Sequence, residues 1–227
     1  MNGKKVVFIS LLLVGTSTFA QHIIGLELSY KRSTFRYDEV VGSPFATAGR
    51  MGLGLNYQVY IGEVLSTATH FKTGIAYEGK GSARKVTQID QNGTNIRELK
   101  LQNALYYWTL PLMLEMHSTS GRFYVEYGGY FSYLTESYWS EYPLARYQSV
   151  DGGIKWMKPY QPGAFKKYDA GINLGFGTVL PLSSRSGMKF GFRYSHGLVN
   201  VNDDPLYTES PIYNRAFVVN VSVNWAL

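Results

Sequence analysis

The chain has 227 residues, no cysteine, 24 glycines, an aromatic fraction of 15% and a formal charge of +6. That length suits one domain and is short for two. Lack of cysteine excludes a disulfide framework and a thiolate metal site, and the basic excess is too evenly spread to form a nucleic-acid stripe.

The first element in chain order is a leader. Lys4 and Lys5 precede an apolar run from Val6 to Val14, broken only by Ser10, and Thr18-Phe19-Ala20 supplies small residues where a signal peptidase reads. Residues 1–20 are expected to be a cleaved signal peptide and 21–227 a single domain. The apolar run is too short for a membrane anchor, which needs roughly 20 such residues. Its removal lowers the formal charge from +6 to +4.

Eight strands are predicted after it, because apolar and polar residues alternate with a period of two. The first, about His22–Lys31, sets Ile24, Leu26, Leu28 and Tyr30 against Gly25, Glu27 and Ser29. The second is about Arg50–Ile61, and the third about Thr69–Ala83, where Lys72, Glu78 and Lys80 share the polar face. The fourth, about Arg97–His117, aims Tyr106, Trp108, Leu110, Leu112, Leu114 and Met116 one way and Tyr107, Thr109, Met113 and Glu115 the other. The fifth (about Arg122–Ser137), sixth (about Phe165–Leu180) and seventh (about Met188–Gly197) follow the same code. In the eighth, from Phe217, the odd positions Phe217, Val219, Val221, Val223, Trp225 and Leu227 are apolar. Asn220, Ser222 and Asn224 are polar, with Val218 and Ala226 as small apolar exceptions.

The connections are expected to alternate in length. Gly62–Ala68, Ser118–Gly121 and Pro181–Gly187 read as short turns, whereas 32–49, 84–96, 138–164 and 198–212 read as long loops. Membrane barrels have short periplasmic turns, longer outer loops and an even strand number. A soluble sandwich has no reason to lengthen every second loop. An eight-stranded exported barrel with its apolar face inward, of the lipocalin kind, is the competing architecture. Here the polar face is dominated by Gly, Asn and Ser with charges of both signs, which suits a small filled lumen. Tyr30, Tyr77, Tyr106, Trp108, Tyr133, Tyr168 and Trp225 lie toward strand ends on the apolar face, as interfacial belts require. The reading is all-β: an eight-stranded antiparallel up-and-down transmembrane β-barrel of the bacterial outer membrane, monomeric, with lipids as its surroundings.

Glu78, Lys80, Glu115, Glu126, Lys189 and Arg193 are predicted to point into the lumen. A salt-bridge ladder plugging the barrel is one reading of them and a proton or ion path the other; the first is favoured, because buried charges must pair. His22, His70, His117 and His196 show no metal-ligand spacing. Ser195-His196 invites comparison with a nucleophile and its base, but adjacent strand residues face opposite ways. No catalytic, cofactor or metal site is assigned, and the chain is read as non-enzymatic. Asn92-Gly-Thr94 reads as a turn. The third long loop carries Trp139, Tyr142, Tyr147, Trp156 and Tyr160, a candidate surface for stacking on glycans or packing against a partner protein.

Four segments carry a family resemblance. Phe71-Lys-Thr-Gly-Ile-Ala-Tyr-Glu-Gly-Lys-Gly81, Leu105-Tyr-Tyr-Trp-Thr-Leu-Pro-Leu-Met-Leu-Glu115, Phe123-Tyr-Val-Glu-Tyr-Gly-Gly-Tyr-Phe-Ser-Tyr133 and Phe192-Arg-Tyr-Ser-His-Gly-Leu198 followed by Asn214-Arg-Ala-Phe217 resemble strands of the PorT-like outer-membrane β-barrel proteins of Bacteroidetes-type bacteria. The chain departs from the common outer-membrane ending, since it closes on Leu227 with Trp225 as its last aromatic. The resemblance implies a structural or partner-binding barrel, with secretion machinery or other envelope proteins as partners. A conduit or binding barrel for a small solute is the alternative.

Overall fold

Alternation with a period of two drives the chain into strands, and a closed ring is the arrangement that pairs every strand edge. The computed structural model describes residues 22–37, 46–89, 95–143, 158–159, 165–203 and 211–227. Its strands are β1 (His22–Tyr37), β2 (Ala46–Val64), β3 (Thr67–Ile89), β4 (Asn95–His117), β5 (Phe123–Pro143), β6 (Lys158–Pro159), β7 (Tyr168–Pro181), β8 (Ser186–Gly197) and β9 (Ile212–Ala226). All but β6 form a cylinder in chain order, closed by β9 on β1 and joined between β4 and β5. Every neighbouring pair is antiparallel, so the predicted eight-stranded up-and-down barrel is the observed fold. The two-residue β6 pairs with Tyr138 and Trp139 of β5 and stands outside the ring.

The two faces separate as the parity requires. On β9 the side chains of Phe217, Val219 and Trp225 are exposed, while Val218, Asn220, Ser222 and Asn224 are buried. Ile24, Leu26, Leu28, Leu53, Leu55, Leu110, Leu112, Ile172, Leu174 and Phe176 continue the exposed apolar wall. From Phe217 to Trp225, at about 3.3 Å per residue and a tilt near 40°, β9 rises roughly 20 Å, close to the height of a bilayer's apolar band. Aromatic rings gather at one level of this wall. Tyr77 stacks on Tyr106 at 5.8 Å, Tyr133 meets Tyr168 at 5.5 Å and Tyr194 meets Phe217 at 5.1 Å between ring centroids.

Several strands run further than their alternation suggests. β1 continues beyond Lys31 to Tyr37, and β3, β4 and β5 reach Ile89, Asn95 and Pro143. Much of what reads as long outer loops is therefore strand; only residues 90–94 separate β3 from β4. The physical reason is that the code inverts above the membrane. On β1 the outward Arg32 and Arg36 are exposed to water, while inward Phe35 is buried. The sixth predicted strand starts later than expected, at Tyr168, because Phe165 makes only a single bridge to Asn202.

The short turn between β2 and β3 is tighter than the sequence suggests. Val64 pairs with Thr67, leaving Leu65 and Ser66 as a two-residue turn with φ of 52° and 60°. Both central residues at positive φ define the I′ type, which matches strand twist and favours Asn-Gly. A leucine there carries a Cβ penalty of about 1–2 kcal/mol. Replacing Leu65-Ser66 by Asn-Gly is expected to raise the unfolding free energy by about 1 kcal/mol, measured as a higher denaturant midpoint for the refolded barrel. An unchanged or lower midpoint refutes the turn geometry.

Candidate functional site

The inner face of the cylinder concentrates the chain's polar chemistry. Inward positions of β1, β3, β4, β5, β7 and β8 bring together Glu27, Glu78, Glu115, Glu126 and Asp169 with Lys31, Lys72, Lys80, Lys189 and Arg193, each of which is buried or nearly so. The two sets are equal in number, so this interior is neutral by formal charge.

The charges form two layers. In the outer one, Lys80 Nζ lies 2.8 Å from Asp169 Oδ2 and 3.7 Å from Glu78 Oε1, and Lys31 donates to Glu78. Asn214 Nδ2 also donates to Asp169 Oδ2 at 2.9 Å. The Lys80 ammonium sits 4.1 Å from the centre of the Tyr130 ring and 4.9 Å from that of Tyr107, which adds cation–π attraction. Thr109 and Ser132 hydroxyls meet at 2.8 Å beside it.

In the layer nearer the chain termini, Glu126 bridges two cations. Its Oε1 accepts from Arg193 Nε at 2.6 Å and its Oε2 from Lys72 Nζ at 3.1 Å. Glu27 repeats the arrangement at 3.4 Å to each of the same partners. Lys189 donates to Glu115, which also accepts from His117 Nε2 at 2.7 Å, and Lys189 reaches Gln58 Oε1 at 2.9 Å. Each cation therefore has a carboxylate partner, as burial demands.

Inward glycines make room for this filling. A Cβ on Gly177 or Gly191 meets the Tyr124 hydroxyl, and one on Gly175 comes within 2.9 Å of Glu126 Oε1. Large inward side chains on β5 thus face bare backbone on β7 and β8.

Above the charges an apolar cap closes the outer end. Phe35, Leu105, Tyr107 and Ile212 point in from their strands, and Phe165 and Val201 fold over from the connections, with Leu134 packed alongside. Backbone bonds fix these segments: Lys166 N–H donates to the Val201 carbonyl at 2.9 Å and Val201 N–H to that of Ile212 at 2.8 Å. Between the two charge layers a cavity of about 40 Å³ remains, lined by Glu27, Lys31, Lys72, Glu78, Lys80 and Arg193. That holds a few water molecules and no larger solute. At the opposite mouth a recess of about 210 Å³ is lined by His70, His117, Arg185 and Lys189 with Ile23, Val179 and Pro181.

All six charges expected inside, Glu78, Lys80, Glu115, Glu126, Lys189 and Arg193, occupy these two layers. Glu27, Lys31, Lys72 and Asp169 complete the network; alternation puts Glu27, Lys72 and Asp169 on the polar faces of their strands, while Lys31 stands where the first predicted strand ends. Sequence reasoning missed that His70 and His117, far apart in sequence, meet edge to face with ring centroids 5.0 Å apart. Among the described residues no group of three His, Cys, Asp or Glu side chains could hold a metal ion. Ser195 and His196 diverge: Ser195 Oγ donates to Asn173 Oδ1 at 2.6 Å inside, while His196 Nδ1 lies 3.2 Å from Tyr194 Oη outside. They do not form a nucleophile–base pair. Of the candidate partner-contact residues, Trp139 and Tyr142 belong to the backbone of β5 and not to a loop. Tyr147, Trp156 and Tyr160, like the leader 1–20 and Asn92-Gly-Thr94, lie outside the described residues.

An apolar exterior with an aromatic belt, around a polar interior and a closed eight-stranded ring, defines an outer-membrane β-barrel. The chain belongs to the outer membrane protein beta-barrel domain family, whose model matches residues 19–203, and the protein resides in the bacterial outer membrane. No curated protein has a sequence that matches it. Among solved structures, the outer membrane protein AlkL is 13% identical, with 92% of this chain and 90% of that chain covered and a TM-score of 0.43. OprG of Pseudomonas aeruginosa is 11% identical, with 92% and 95% covered and a TM-score of 0.41. Ail of Yersinia pestis, the attachment invasion locus protein, is 8% identical, with 90% and 99% covered and a TM-score of 0.37.

Proposed function

We propose that this protein is a plugged, non-enzymatic barrel of PorT-like type that serves the outer membrane as a structural or partner-binding element, with secretion machinery as the class of partner. The observation that carries the reading is the interior: two neutralised charge layers beneath an apolar cap, with a cavity of about 40 Å³ between the layers. A wall filled in this way offers its loops and rims for function and not its bore. The outer segment bearing Trp139, Tyr142, Tyr147, Trp156 and Tyr160 is the surface assigned to the partner, and the leader 1–20 is removed on export.

In planar lipid bilayers the refolded protein is expected to give no discrete conductance steps. Reproducible openings in the wild-type protein overturn the plugged reading. A second reading, a barrel that binds a small solute, is favoured by the recess of about 210 Å³ at the mouth bearing the chain termini. Saturable solute binding lost on filling that recess, for instance with Ala226→Trp, is what distinguishes it.

A further inference from the structure

Just above the aromatic belt, the outside of the wall changes character over four adjacent strands. On β9, Arg215 stands opposite His196 of β8 and Thr34 of β1. On β1, Arg32 stands opposite Phe217 of β9 and Gly49 of β2. Arg50 follows Gly49 at a register shift in β2, and its aliphatic stem lies over Gly79 of β3. Arg215 and Arg36 are the charges that His196 feels. The arc from β9 to β2 crosses two strand spacings, roughly 10 Å.

These cations differ from those in the lumen. Each lumen cation has a carboxylate, whereas no carboxylate pairs with Arg32, Arg50 or Arg215 among the described residues. Arg32 donates to Thr47 Oγ1 and Arg50 to the Gly49 carbonyl, both at 2.8 Å. Arg215 Nε is shielded from solvent with no hydrogen-bond partner there. Immediately on the membrane side of the arc lie Tyr194, Phe217, Tyr30 and Met51, which face outward; Phe217 and Met51 are 69% and 66% exposed. The arc also sits at the end of the barrel away from the tight turns and the termini, which is the outer-leaflet side.

A guanidinium binds phosphate through two parallel hydrogen bonds, and basic clusters at a membrane interface select anionic headgroups. We propose that Arg32, Arg50 and Arg215, with His196, bind the phosphate groups of a phosphorylated outer-leaflet glycolipid, whose acyl chains lie on Tyr194, Phe217, Tyr30 and Met51. The site tethers the barrel to one kind of lipid and fixes its depth in the outer leaflet. It needs no opening in the lumen and holds whichever way the bore functions.

The test uses the full-length mature barrel refolded into phosphatidylcholine vesicles that contain either phosphorylated lipid A or the same lipid with its phosphates removed. Lipid retained after detergent extraction is read by native mass spectrometry. The wild type is expected to retain the phosphorylated lipid about tenfold better, as one or two charge-assisted hydrogen bonds allow. The R32Q/R50Q/R215Q variant loses that preference while its heat-dependent electrophoretic mobility, the mark of a folded barrel, stays. Should the triple variant fail to fold, R32Q and R215Q are measured singly, each expected to lower the preference several-fold. Lys167→Gln, an exposed cation outside the arc, keeps it. Equal retention of both lipids by the wild type, undiminished preference in the folded variants, or full displacement by inorganic phosphate overturns the proposal.

Discussion

Replacing Glu126 with leucine is expected to cost the barrel about 3–5 kcal/mol of unfolding free energy, and adding Arg193→Leu is expected to return most of that loss. Glu126 accepts from Arg193 at 2.6 Å and Lys72 at 3.1 Å, and its side chain is 1% exposed. Its removal leaves Arg193 and Lys72 competing for Glu27 and Glu115, so the interior carries one uncompensated positive charge in a low-dielectric space. The pair itself contributes little net stability, since desolvation of both ions nearly offsets their attraction. The double leucine variant restores neutrality and fills the same volume with apolar atoms. Equilibrium denaturation of the refolded protein, followed by tryptophan fluorescence, checks this. A double variant as unstable as the sum of the two single variants refutes the argument.

The lumen was partly legible in the sequence through strand alternation. Glu78, Lys80, Glu115 and Glu126 sit in the middle of unbroken alternation, so their direction follows from their neighbours. Lys31 does not, because β1 reads as ending there. The alternation that reveals a membrane strand is a contrast between lipid and lumen, and it disappears where lipid ends. Beyond Tyr30 the outward positions become Arg32 and Arg36, and the inward Phe35 becomes part of the cap. A strand written in that inverted code looks like a loop.

The apolar cap was hidden for a related reason. Phe35, Leu105, Tyr107, Phe165, Val201 and Ile212 come from three strands and two connections and share no spacing in sequence. Only the closed ring brings them together, and the stagger of its strands sets which of them meet. His70 and His117 are paired by that same stagger, through Thr69 opposite Met116 and Ala68 opposite His117. Trp139 and Tyr142 read as loop residues because β5 runs past the membrane with polar outward neighbours such as Thr135 and Glu136. What the sequence carries directly is which face each residue takes; heights and long-range neighbours depend on closure.

Leu112, midway along β4 between the belt residue Tyr106 and the strand end at His117 and opposite Thr73 and Gly129, is 47% exposed on the outer wall. Arginine at that position is expected to cost about 2–4 kcal/mol, because at the bilayer midplane it must drag water or headgroups inward. The same substitution at Met116, one residue from the end of β4, is expected to cost about 0–1 kcal/mol, since there the side chain reaches the interface. In a water-soluble barrel the ordering is lost, because an exposed arginine anywhere on the wall is solvated and changes stability by no more than about 0.5 kcal/mol. Refolding both variants into vesicles and comparing their denaturation midpoints with the wild type separates the cases. Equal, near-zero costs at Leu112 and Met116 contradict a lipid-facing wall, and a cost that falls from the first to the second is the signature of depth in a bilayer.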